Sequence, residues 1–281
     1  MSVRIIVDST SDVKAQVKQR LTVVPLTVHF GDREYVDGVT IDHRSFYEKL
    51  VESDVLPTTS QASPAAFADI FQSVTQAGDT AVVLTISSKL SGTCQSARIA
   101  AQDYPGSIFV VDSQSAAIGA GILAEYALQL ADSGLDAAKI ASILEQERER
   151  ICIVALLDTL EYLKKGGRIS AAVAFAGGLL SIKPVISLED GEIKILGKAR
   201  GSRQGNNLLV QQIEKAGGVD FEKPLLLGYT GLSDALLHKY MEDSKALWEA
   251  GTDDLQYTPI GSVIGTHAGP GAIAVAFFKR K

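Results

Sequence analysis

Only two cysteines occur in the chain, Cys94 and Cys152, too few for a disulfide framework. Together with four scattered histidines, His29, His43, His238 and His267, they make no zinc pattern. Basic residues are outnumbered, 27 Lys and Arg against 33 Asp and Glu, for a net charge of −6. That balance argues against a general nucleic-acid binder, which presents a basic face. It also gives no hold on an anionic membrane surface. No apolar run approaches the roughly 18–20 residues of a membrane span. The opening Met1-Ser2-Val3-Arg4-Ile5-Ile6-Val7-Asp8 puts an acid where a secretory apolar segment would continue, so a cytoplasmic location is expected. Aromatic residues make up 6%, with one Trp and two Met.

What is present is aliphatic. Hydrophobic residues reach 46% with charged residues at 21%, and glycines number 25. This is the composition of an ordinary globular protein with an Ala, Val, Ile and Leu core, and glycines allow close backbone approach. A chain near 300 residues buries about 75% of its unfolded surface, enough for one large domain or two modest ones.

The first half alternates strands and helices. Val3–Val7, Leu21–Phe30, Thr80–Ile86 and Ser107–Val111 read as strands. Helices are predicted from Ile41 to about Val51 with Asp42 as cap, from Ser63-Pro64 onward, and over Cys94–Gln102, Ile118–Asp132 and Asp136–Arg150. Pro57 to Pro64 reads as a rigid loop. The alternation indicates a parallel sheet with helices on its faces.

After about residue 150 the pattern changes. Ile151–Leu157 reads as a strand, Asp158–Lys165 as a short helix ended by Gly166-Gly167, and Ala171–Leu180 as a small-residue helix. Ile182–Leu188 and Glu192–Gly197 read as a hairpin around Asp190-Gly191. Helices near Gln204–Lys215 and Ser233–Glu249, and strands at Leu225–Tyr229, Tyr257–Ile264 and Ala272–Phe278, complete the reading. A hairpin implies a mixed sheet. The fold class expected is two α/β domains. Residues 1–156 carry a mainly parallel sheet with flanking helices, residues 157–281 carry a mixed sheet with helices, and a ligand lies in the cleft between them.

Three strands of the first half end in hydroxyl and carboxyl clusters: Asp8-Ser9-Thr10-Ser11-Asp12, Ser87 to Thr93, and Asp112-Ser113. Ligands of open α/β sheets bind outside the carboxyl ends of strands, although helix capping alone selects the same residue types. Ser91-Gly92-Thr93 before a helix offers N–H and O–H donors to an anion. No lysine follows at the P-loop spacing, so nucleotide phosphate is not specifically indicated. His267, among small residues between two predicted strands, is free to donate to an anion or act as a base. Arg168 follows a double glycine that can point it into a cleft. Residue chemistry alone reaches an anion site in a two-domain cleft.

The same segments resemble the DegV family. The match is carried by Asp8-Ser9-Thr10-Ser11-Asp12, Thr58-Thr59-Ser60-Gln61, Leu84–Ser96, Val111-Asp112-Ser113, Leu160–Ser170, Leu179–Pro184, Lys198-Ala199-Arg200 and Gly265–Gly271, in order along the whole chain. The resemblance implies a protein that binds a long-chain fatty acid such as palmitate and needs no other cofactor. It implies a bacterial carrier subunit, without catalysis of its own, that presents the carboxylate to a separate ATP-dependent fatty acid kinase subunit. The acyl phosphate then feeds phospholipid synthesis. By motif position Thr59 and Ser91 would hold the carboxylate, with His267, Gly92, Thr93 and Arg168 as the supporting polar network and Arg200 facing the kinase. Cys94 stands where the family often has an aromatic, and Ala62 where a proline is common, which touches ligand preference and not the carboxylate contacts.

Physical chemistry is consistent with that implication. A buried carboxylate needs several donors, and hydroxyls can rearrange to accept once a phosphate is attached. About fourteen methylenes contribute of order 11 kcal/mol gross at ~0.8 kcal/mol each. That predicts an aliphatic tunnel drawing on Ile151–Leu157 and Ala171–Ile182. Two other readings stand beside it. One is an enzyme or phosphotransfer protein using His267 on a small carbonyl or phosphate substrate, which predicts a small polar pocket. The other is a lipid sensor.

Overall fold

A computed structural model describes residues 2–170, 182–249, 251–252 and 254–281. The helix expected over Ala171–Leu180 lies outside the described residues. A four-stranded parallel sheet occupies the first half, with β2 (Thr22–Val24), β1 (Val3–Asp8), β6 (Thr80–Thr85) and β7 (Ile108–Asp112) in that order. Its central strands are covered on both faces, which is why they read as unbroken apolar runs. Ile6, Ala81 and Val83 face the helices α3 (Pro64–Gln76) and α4 (Thr93–Ala101), against Phe67, Phe71 and Ala97. Ile5, Val7, Val82 and Leu84 face the helices α5 (Ala117–Asp132) and α6 (Ala137–Glu147).

The second sheet has six strands: β10 (Glu192–Arg200), β9 (Ile182–Glu189), β8 (Ile151–Leu156), β13 (Ile273–Phe278), β11 (Leu226–Tyr229) and β12 (Tyr257–Pro259), in that spatial order. All its pairs are antiparallel except β11 with β12. The β9–β10 hairpin turns at Asp190-Gly191, both at positive φ (52° and 80°), as a two-residue turn of matching twist requires. Strand β8, placed by the sequence reading at the end of the unit 1–156, pairs with β9 and β13. It therefore opens the second sheet. Alternation on β13 splits its side chains. Ile273, Val275 and Phe277 face the outer helices, while Ala274, Ala276 and Phe278 face α5. Helix α5 lies between the two sheets and is buried at ten of its positions, Ala117 to Leu128, which explains its lack of a polar face.

Four expectations are corrected and one strand is added. Leu21–Phe30 is not one strand: Pro25 has no N–H to donate, and the chain changes sheet there. β2 stays in the parallel sheet, and β3 (Thr27–Phe30) joins a three-stranded antiparallel sheet of order β4-β3-β5. Strand β4 (Arg33–Val36), unread in the sequence, returns after Gly31 at φ 58°. The supposed loop at Thr58-Thr59-Ser60 is the strand β5 (Thr58–Ser60), with Thr59 opposite Val28. Tyr257–Ile264 holds a three-residue strand and then the helix Ser262–Ala268. Ser233–Glu249 breaks at Ser244, whose hydroxyl donates to the Tyr240 carbonyl (2.6 Å) and accepts from the Trp248 indole (2.9 Å).

Candidate functional site

A narrow cavity runs between the carboxyl end of the parallel sheet and the inner face of the mixed sheet. Its volume is about 110 Å³. Strand alternation makes it apolar: Ile153, Ala155 and Leu157 project into it along β8, and Ala272 and Ala274 from the start of β13. Among the described residues lining it, Arg168 is the one charged residue, and none is a carboxylate.

Polar groups gather where four segments meet. Thr59, carried by β5, has its Oγ1 2.9 Å from Nε2 of His267. His267 rides on the helix Ser262–Ala268, not in a loop between strands as the sequence suggested. The Nδ1–Cε1 edge of its ring abuts Gly166, where a Cβ would come within 2.1 Å of Nδ1. Nδ1 is buried and has no partner among the described residues. Burial, and secondly the nearby Arg168 charge, push the His267 pKa down from 6.5 to about 4. The ring is neutral at neutral pH. Buried N–H groups without acceptors are rarer than unfilled lone pairs, so the network assigns the proton to Nε2. That N–H donates to Thr59 and leaves the Thr59 hydroxyl hydrogen free for another acceptor.

Ser91 lies in the turn before α4. Its hydroxyl is 2.9 Å from Thr93 Oγ1 and accepts from the Thr93 N–H at 3.3 Å. Thr93 is fully buried and does not reach the cavity. Gly92 makes room for Gln61: a Cβ there would sit 2.0 Å from Gln61 Oε1. Gln61 also lines the cavity and donates to Ser96 at 3.1 Å. Arg168 ties the two sides together, donating from Nε to the Leu90 carbonyl (3.1 Å) and from Nη1 to that of Gly166 (2.6 Å). Burial alone lowers its pKa, and it forms no ion pair among the described residues. Thr59, Ser91, His267 and Arg168 thus line one cavity, with Gly92 and Thr93 behind Ser91. Arg200 does not join them: it is exposed at the end of the edge strand β10.

The helix that carries His267 is gripped from the first half by residues that the sequence reading passed over or took for capping groups. Asp12 accepts the Gly261 N–H at 2.8 Å, and Asp37 accepts the Ser262 hydroxyl. Tyr47 donates to the Ile260 carbonyl at 3.3 Å. His43 places Nδ1 3.0 Å from the Ile260 carbonyl and Nε2 2.9 Å from that of Gly231. Burial raises the carboxyl pKa of Asp37 and raises that of Asp12 more strongly. The cluster Asp8 to Asp12 therefore does not cap a helix. Asp8 is fully buried and accepts the Thr10 N–H (2.9 Å) and the Ile86 N–H (2.7 Å). Among the described residues no group of three or more His, Cys, Asp or Glu is placed to hold a metal ion, and no helix is long and apolar enough to cross a membrane.

Comparison with known proteins gives one consistent match. The family model described as "Uncharacterised protein, DegV family" matches residues 2–280. A DegV domain-containing protein of Caldanaerobacter subterraneus is 33% identical over 284 residues, covering 99% of each chain. Among solved structures, a DegV family protein from Thermus thermophilus described by its fatty acid binding superposes with TM-score 0.87 at 32% identity. That match covers 99% of this chain and 100% of the other. A stearic acid-binding protein from Eubacterium ventriosum gives TM-score 0.88 at 29% identity, covering 99% and 98%. On the whole-chain match and the shared fold, this chain belongs to the DegV family.

Proposed function

We propose that the protein binds a long-chain fatty acid such as palmitate, without catalysis of its own, and presents it in the cytoplasm to a separate ATP-dependent kinase subunit. The observation that carries this reading is the aliphatic cavity in which Arg168 is the single charged lining residue, and forms no ion pair, among the described residues. Such a cavity suits a long apolar chain with one anionic end. Thr59 and Ser91 donate to the carboxylate, His267 orients Thr59, and Gly92 and Thr93 fix Ser91. In this reading the ligand lies in the cleft between the two sheets, the second of which includes β8. On the kinase, a carboxylate oxygen takes the terminal phosphoryl group of ATP, the bond to the β-phosphate breaks, and ADP leaves with the electron pair. The acyl phosphate goes on to phospholipid synthesis, and Arg200 faces the partner. The alternative enzyme reading asks for an imidazole oriented by a third group. Nδ1 of His267 faces Gly166 and has no such group among the described residues.

Native mass spectrometry followed by denaturing extraction tests the binding. A stoichiometric long-chain acid is expected. Thr59→Val and Ser91→Ala should each weaken palmitate binding about 10- to 100-fold, the loss of about 1.5–3 kcal/mol for a hydrogen bond to a charged group. An empty protein that refuses added palmitate would overturn the reading. ADP release that depends on this chain, palmitate and the host's kinase subunit tests the carrier role against a sensing one.

A further inference from the structure

A second hollow, wider than the first at about 500 Å³, shares a wall with the acyl cavity. Leu90, Arg168 and Ile193 line both. Its charge is of another kind. Among the described residues Lys89, Arg168 and Lys194 line it against one acid, Glu192, while Glu189 and Asp190 of the adjoining hairpin act on Lys194 from outside the lining. The acyl cavity has one cation and a neutral His267.

These lysines are held in place. The Lys89 stem packs on the β9–β10 turn, its Cγ 3.4 Å from where a Cβ of Gly191 would lie. The same turn is fastened by the Ser87 hydroxyl, which donates to the Gly191 carbonyl at 2.8 Å. Lys194 Nζ sits 3.0 Å from Glu192 Oε2, and Lys194 followed by Lys89 lowers the Glu192 pKa. Both ammonium groups therefore act on the same small region beside Arg168. Arg168 spends Nε and one Nη1 hydrogen on the Leu90 and Gly166 carbonyls, and its Nη2 has no partner among the described residues.

Phosphoryl transfer changes what the headgroup needs. A carboxylate carries one negative charge. An acyl phosphate near neutral pH carries close to two, on three acceptor oxygens, and calls for more cationic donors. We propose that the hollow bounded by Lys89, Arg168 and Lys194 is a phosphate subsite, which holds the phosphate of an acyl chain seated in the neighbouring cavity. The inference rests on the proposed fatty acid function. Arg168, common to both walls, contacts the headgroup before and after transfer, whereas Lys89 and Lys194 act only after it.

The probe is monohexadecyl phosphate, a non-hydrolysing phosphate with a sixteen-carbon chain, compared with palmitate by isothermal titration on the full chain. Lys89→Ala with Lys194→Ala should weaken hexadecyl phosphate about tenfold and leave palmitate within twofold, as expected for two partly exposed charge contacts. Raising salt should erode the hexadecyl phosphate affinity more than that of palmitate, whose carboxylate meets only one cation, the more buried Arg168. Inorganic phosphate, added as competitor, separates the sources of the group. Competition against hexadecyl phosphate assigns the hollow to phosphate of either origin, and its absence assigns it to a lipid-borne phosphate. Equal losses for both lipids, or no loss for hexadecyl phosphate, overturn the subsite. Refusal of palmitate by the unsubstituted protein is a different result and counts against the fatty acid reading itself.

Discussion

Gly166 has no room for a side chain, because the ring of His267 rests on it. Its φ of −72° is open to any residue, so an alanine there meets no backbone penalty and acts only by displacing the ring. Gly166→Ala should therefore lower palmitate affinity at least tenfold while the melting temperature moves by no more than a few degrees. Calorimetry and thermal melts together check this, and retained affinity would show that His267 does not set the site. The double glycine was legible as a motif, but its purpose was not. Periodicity reports the local chain, whereas this contact joins segments far apart in sequence. That Thr59, Ser91 and His267 line one cavity was only partly legible: local chemistry singled out Ser91 and His267, and the family motif alone singled out Thr59. Asp12 and Asp37 went unrecognised as anchors because only the tertiary fold makes a carboxylate next to hydroxyls a buried one.

Strands with continuous apolar runs, β1, β6 and β8, were legible, as were the Ser63 and Asp42 caps, which accept from Ala66 and Ser45 N–H groups. Short elements made of residues suited to another state were not. The strand β5 is Thr-Thr-Ser, without alternation, and takes its form from its neighbour β3. The helix Ser262–Ala268 starts with β-branched Val263 and Ile264, which favour strands locally, and its anchors from the first half override them. Those anchors make its docking sensitive to pH. Burial raises the folded-state pKa of Asp37 above its ordinary 3.8, so the folded chain keeps that proton to higher pH than the unfolded one. Stability from this group is present below 3.8 and is lost as pH rises through the folded-state value. Asp37→Asn keeps an acceptor for Ser262 and does not titrate. Its melting temperature relative to the natural chain should become more favourable between pH 4 and pH 7, and a difference that stays constant across that range would contradict the sign.

At the scale of the whole molecule, the apolar cavity is a gap in packing between two sheets, with α5 beside it. The small side chains of Ala155 and Ala274, on neighbouring positions of β8 and β13, keep it open. Ala155→Leu or Ala274→Leu should fill part of the passage. Palmitate binding should fall while the lipid-free melting temperature holds or rises, since added carbon occupies void instead of crowding the core. Decanoate should suffer less than palmitate, and an unaltered preference between the two would place the acyl chain elsewhere.

An apolar passage through the core also has a mechanical meaning. Unfolding under hydrostatic pressure is driven by the internal void that disappears, and this void is one that an acyl chain would fill. The lipid-free chain is then the more compressible form, and the occupied one the harder. Pressure, which leaves charges and sequence untouched, would separate the two on volume alone.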